Sequence, residues 1–153
     1  MNPPTIYQTN FPKLAATDTV GAALRQMLDD RLSDLPVIDA SGALLGMFKL
    51  VELYATLLPK AVLLGHGVPD LAFVTDTIGQ LREKMDEIED DPVRNYVVKP
   101  DHVIHPETPP LEIVLLLYQG ANNVPVVDRD SGRLVGMVSA RDLLTALDPE
   151  KPK

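Results

Sequence analysis

Leu35-Pro36-Val37-Ile38-Asp39, followed by Ser41-Gly42-Ala43-Leu44-Leu45-Gly46-Met47-Phe48, decides the architecture because the chain contains it twice. The second copy reads Val124-Pro125-Val126-Val127-Asp128, then Ser131-Gly132-Arg133-Leu134-Val135-Gly136-Met137-Val138. Set side by side from Ser41 to Leu53 and from Ser131 to Leu143, six of thirteen positions are identical. Asp130 is the one extra residue of the second copy, and it falls in the turn, where insertions cost least. Such self-similarity means that one small supersecondary unit is used twice. Within each copy, two β-rich runs flank a Gly-containing turn, which reads as a hairpin.

Outward from the hairpins, the two halves keep the same order. Residues 1–13 hold three prolines and read as an extended lead-in. Thr19 is placed to cap a helix over about 20–30, with Ala23, Leu24, Met27 and Leu28 on one face. A helix from about 50 to 58 follows the first hairpin and stops at Pro59. In the second half Val103-Ile104 is a short strand, and Thr108 caps a helix that opens on Pro109. The closing helix spans 140–147 and ends before Pro149 and Pro152. Residues 59–92 have no repeat partner. Gly65-His66-Gly67-Val68-Pro69 reads as a loop, and Ile78, Leu81, Met85 and Ile88 form the apolar stripe of an amphipathic helix. Its opposite face, from Arg82 to Glu89, is a solvated charged face rather than a metal site, and Pro92 helps to stop it.

Composition narrows the function. The 153 residues are 45% apolar, enough for a core without cross-links. The absence of cysteine excludes disulfides, thiolate metal sites and cysteine nucleophiles. A net charge of −8 disfavours nucleic-acid polymers, which need clustered Lys and Arg. It leaves room for a single nucleotide in a local site. With no basic-then-apolar leader and no apolar run near the roughly 20 residues of a membrane span, a soluble cytoplasmic protein is expected. Leu111-Glu112-Ile113-Val114-Leu115-Leu116-Leu117-Tyr118 is apolar nearly all round, so this helix needs cover on two sides. Its own sheet supplies one; the other half or a second copy of the chain supplies the other. The wetter counterpart at 20–30, with Arg25, Gln26, Asp29 and Asp30, directs any homodimer contact to residues 109–119.

The doubled strand-helix-strand-strand-helix order, with Pro-Val-Ile/Val-Asp, a Gly turn and Gly-Met, resembles the CBS domain, named after cystathionine β-synthase. The resemblance covers about 1–58 and 93–148 as a tandem pair, with 59–92 as a connecting loop and helix and 149–153 as a tail. It implies an α/β (α+β) fold in which two β-α-β-β-α units pack through their sheets with pseudo-two-fold symmetry, leaving two clefts. It further implies a regulatory module that commonly dimerises. Such modules commonly bind an adenosine compound (AMP, ADP, ATP or S-adenosylmethionine) and control an attached or partner enzyme or transporter.

Gly136-Met137-Val138-Ser139-Ala140-Arg141-Asp142 is similar to the family's ligand signature. Ser139, where a strand turns into a helix, directs its hydroxyl and the free first-turn N–H groups toward phosphate. Asp142 offers acceptors to a ribose, and Arg141 a charge-assisted bond to phosphate. By the family pattern, Ile104 and His105 line the base, with Val124 and Pro125 opposite and Val138 beneath. Ser-x-x-Asp is equally a helix-capping arrangement that needs no ligand, and the two readings are compatible. The first half departs from the pattern, with Lys49 and Glu52 at the equivalent positions. That cleft is read as vacant, as taking a different ligand, or as placing Lys49 on phosphate and Glu52 on ribose. His102 and His105 are three apart on a short strand and its loop, and with His66 they make no metal site. No phosphate loop of the GxxxxGK[ST] kind and no nucleophile–base pair is present, so no enzyme is expected. The open alternative to a ligand sensor is a ligand-free scaffold for dimerisation or partner docking.

Overall fold

The computed structural model describes residues 6–58 and 77–148. The loop reading at Gly65–Pro69 and the proline stops at Pro59, Pro149 and Pro152 lie outside the described residues. The first half runs β1 (Leu14–Ala15), α1 (Val20–Asp30), β2 (Asp34–Ile38), β3 (Leu44–Lys49) and α2 (Leu50–Tyr54), which continues as a 3-10 turn over Ala55–Leu57. Helix α3 (Ile78–Asp86) and a 3-10 turn at Val93–Tyr96 precede the second half. That half comprises α4 (Pro110–Tyr118), β4 (Val124–Val127), β5 (Leu134–Val138) and α5 (Ala140–Leu147).

The repeat is visible bond by bond. β2 pairs antiparallel with β3, Asp34 opposite Lys49, as β4 pairs with β5, Val124 opposite Val138. β1 runs parallel to β2, and the equivalent in the second half is a single parallel bridge from Ile104 to Val126. Both hairpin turns use the same device. Asp39 accepts from the Ser41 hydroxyl and from the N–H groups of Ser41 and Ala43; Asp128 accepts from the hydroxyl and N–H of Ser131. Those bonds, the serine hydroxyls first, hold both carboxyls below the usual range.

Each half is completed by a segment belonging to the other. Gln8, in the lead-in to the first half, exchanges backbone bonds with Met137 on β5 (2.9 and 3.0 Å); Val98, in the lead-in to the second half, exchanges them with Met47 on β3 (2.8 and 2.9 Å). The close approach requires glycine at the neighbouring repeat positions. A Cβ on Gly46 would meet Val97 and lie 2.6 Å from the Val98 carbonyl oxygen; on Gly136 it would meet the Tyr7 ring and the Gln8 oxygen at 2.9 Å. The hairpin turns also touch, Leu44 N–H donating to Gly132 and Leu134 N–H to Gly42. Phe11, Met47 and Met137 form the small core between the halves.

Helix α1 is capped by Thr19, whose hydroxyl accepts from the Ala22 N–H, and it buries Val20, Ala23 and Met27. Leu28, expected on that face, is 80% exposed. A helical turn drifts, and position 28 has rotated past the buried stripe. Met85 and Ile88 pack on the first core, whereas Ile78, at the outer end of α3, is 73% exposed, so the expected stripe is only partly buried. Thr108 does not cap α4. Its hydroxyl accepts from the His105 N–H, and Pro109 takes the cap position with no side-chain bond, so the helix starts at Pro110. Of α4, Ile113 faces the core; Leu111, Leu115 and Tyr118 are 81%, 51% and 86% exposed. No described residue of the chain covers that face.

Candidate functional site

The crossed lead-ins build two clefts, each from the helix start of one half and the strand entrances of the other. The first lies by Lys49, the last residue of β3. Lysine offers no acceptor, and its side chain caps no N–H of α2; the Leu50 N–H is met instead by the Ser33 carbonyl at 2.9 Å. Lys49 Nζ reaches across to Asp101 Oδ2 at 3.1 Å. Met47, Val51, Val124 and Pro125 give the cleft apolar walls, and Pro100, His102 and the run from Gln119 to Asn123 close its second-half side. Its volume is about 450 Å³, inside the roughly 300–1,000 Å³ range of ligand pockets.

The second cleft lies by Ser139 and is smaller, about 180 Å³. Here the capping box is complete. The Ser139 N–H and hydroxyl donate to Asp142 Oδ2 at 2.8 and 3.1 Å, and the Asp142 N–H points back to Ser139 Oγ at 3.4 Å. The other carboxylate oxygen, Oδ1, accepts from Gln8 Nε2 at 2.6 Å. Both oxygens expected to meet a ribose are thus taken by the chain itself. Gln8, Phe11, Pro12 and Leu32 narrow the remaining space.

The two clefts share a wall. Asp34 and Asn123 line both, and Asn123 Nδ2 donates to Asp34 Oδ1 at 2.6 Å. They hold equivalent positions, each immediately before the Leu/Val-Pro-Val run, so their bond sits where the pseudo-symmetric halves meet. Burial raises the Asp34 carboxyl above its ordinary range, against the opposing pull of the Asn123 bond and the Lys49 charge. Asn123 adopts φ 50°, a left-handed conformation that asparagine tolerates better than most residues.

The residues expected together around Ser139 are therefore divided between the two clefts and the core. Ser139 and Asp142 line the small cleft; Val124 and Pro125 line the large one with Lys49. Ile104 and Val138 are core residues, 2% and 1% exposed, and line neither cleft. His105 is turned away, its Nδ1 donating to the Val127 carbonyl at 2.8 Å. Arg141 and Glu52 are exposed and also line neither cleft. The division has a physical cause. Because the lead-ins cross, each helix start faces the strand entrance of the opposite half as well as the first residue of its own. Gln8, Asp34, Asp101 and Asn123 were not singled out from the sequence; for Asp34 and Asn123, their shared place in the repeat was the available signal. Among the described residues, no three His, Asp or Glu side chains converge as a metal site. No described helix is long and apolar enough to cross a membrane.

Comparison with known proteins adds to this geometry. The chain is similar in fold to a CBS domain-containing protein of Kribbella flavida (TM-score 0.69, 20% identity, covering 96% of this chain and 98% of that one). It is similar also to CBSX2 of Arabidopsis thaliana, which has been solved in complex with AMP (TM-score 0.62, 20% identity, covering 92% and 90%). Protein MJ1004 from Mathanocaldococcus jannaschii matches with a TM-score of 0.65 and 19% identity over 94% of this chain, which spans only 57% of that longer one. No curated protein matches in sequence. The model of the CBS domain matches residues 5–58 and again 93–149. With the repeat, the paired sheets and this double match together, the chain belongs to the CBS-domain family as a tandem pair of regulatory, non-catalytic modules.

Proposed function

We propose that the chain is a cytoplasmic regulatory module that binds an adenosine nucleotide (AMP, ADP or ATP) in the cleft by Lys49. One observation carries this reading. That cleft alone of the two between the halves combines ligand-sized volume, apolar walls and a cationic side chain. Lys49 suits a phosphate, the Asp34 oxygen not bonded to Asn123 offers an acceptor to a ribose, and Met47, Val51, Val124 and Pro125 suit a base. The AMP complex of CBSX2 supports the ligand class. S-adenosylmethionine, which carries positive charge and no phosphate, fits Lys49 less well. Occupancy acts as a signal because a ligand that prefers one arrangement of the halves shifts the population toward it. The reader is a partner protein or a second copy of the chain, seated on the exposed face of α4.

A thermal-melt panel with AMP, ADP, ATP, S-adenosylmethionine and GTP tests the reading. At 100 times its dissociation constant, a ligand of the folded state stabilises by about 2.7 kcal/mol. The expected result is a rise with an adenosine nucleotide that disappears in Lys49→Met and persists in Asp142→Ala, each measured against its own ligand-free melt. Loss in Asp142→Ala alone moves the site to the Ser139 cleft. A flat panel favours a ligand-free scaffold.

A further inference from the structure

The Lys49–Asp101 ion pair joins one half of the molecule to the other across the larger cleft. Its ends are unequal: the Lys49 side chain is 23% exposed and that of Asp101 is 78% exposed. Lys49 is the sole lysine or arginine among the described residues lining this cleft. Its other acidic neighbour, Asp34, stands opposite it in the β2–β3 ladder and is already engaged by Asn123. Asp101 therefore holds the ammonium from the solvent side, with water ready to receive its carboxylate when it leaves.

We propose that Asp101 is an internal competitor standing in the place of a ligand phosphate, so that the cleft selects adenosine compounds by their phosphate. Binding transfers Lys49 from the Asp101 carboxylate to a phosphate oxygen and unties the two halves at that point. The exchange is favourable on general grounds. An exposed carboxylate–lysine pair is weak, and a phosphate monoester brings nearly twice the charge and three acceptor oxygens. The inference rests on the nucleotide reading above and adds to it a mode of discrimination and a bond that ligand breaks.

The test is calorimetric titration of the whole chain with AMP and with adenosine, in the wild type, Lys49→Met and Asp101→Asn. AMP is expected to bind roughly tenfold or more tighter than adenosine, the value of one charge-assisted bond. Lys49→Met should bring AMP down to the adenosine affinity. Asp101→Asn should tighten AMP by about two- to fivefold, the value of a surface pair no longer broken, and leave adenosine unchanged. AMP binding that is unaltered or weakened in Asp101→Asn overturns the competitor role while leaving the nucleotide reading intact. The same holds if both ligands change alike. Equal affinity for AMP and adenosine overturns phosphate selection, and binding of neither overturns the nucleotide reading and this inference together.

Discussion

The two clefts stand at equivalent places in a repeated unit, yet they differ in where their polar groups are spent. By Ser139, three side chains satisfy one another: serine caps the helix, Asp142 closes the capping box, and Gln8 takes the remaining oxygen. By Lys49 the cap is missing, the ammonium is bonded across the cleft to an exposed acid, and about 450 Å³ stays open. The half closer to the family signature is the more closed one. A motif read along a strand and helix describes the local backbone; whether it faces a cavity depends on which segment of the other half arrives opposite it.

The largest test of that contrast concerns the crossing itself. Gly46→Ala should destabilise by about 3 kcal/mol in chemical denaturation, because the new methyl meets a backbone carbonyl of the lead-in. Gly136→Ala should cost less, about 2 kcal/mol, since the half-buried Tyr7 ring can turn aside and the backbone contact, the Gln8 oxygen at 2.9 Å, is looser than the one at Gly46. The reverse order would mean that the first lead-in is the more tightly held. At the helix starts the expectation inverts. Ser139→Ala should lose about 1 kcal/mol with its cap, whereas Lys49→Met should stay within about 0.5 kcal/mol, having no cap to lose. Equal losses in the two variants would erase the distinction between a closed and an open helix start.

The smallest effect separates the lead-ins. Before Val98, Tyr96 donates its phenol to Asp91 at 2.6 Å, and this bond, with burial and the negative charge of Asp91, pushes the phenol up to about 12. The sign follows directly: the bond's contribution is whole below the unfolded value of about 10 and is lost as pH rises through about 12. An ultraviolet titration should show one of the four tyrosines ionising late, and Tyr96→Phe should remove that step. A late step that survives the substitution would assign the anchor elsewhere.

Much of the fold was legible because both hairpins announce themselves through Pro-Val, a Gly turn and Gly-Met, and their observed bounds differ by a residue or so. Strand β1 was not legible, since two residues, Leu14-Ala15, carry no alternation; only pairing with Val37 and Ile38 makes them a strand. The start of α4 was misplaced because Thr108-Pro109-Pro110 satisfies the cap rule on paper, while the hydroxyl finds the nearer His105 N–H. The site was half legible. Ser139, Asp142 and Lys49 stand by clefts, as their spacing after a strand suggests, but most of the residues lining each cleft come from the opposite half. Crossing is a tertiary event between residues far apart in sequence, and no local pattern in Gln8 or Asp101 encodes it.

The crossing also sets an order on assembly. Gln8 finds its partners, Met137 and Asp142, only near the far end of the chain, the latter 134 residues away. During synthesis from the N-terminus the first lead-in therefore waits, unpaired, until β5 has been made. Hairpins β2–β3 and β4–β5 can close as soon as each is complete, and Val98 can pair with Met47 before β4 is made, but the Gln8–Met137 edge must wait for β5. A segment made before all of the strands is thus among the last to be put in place.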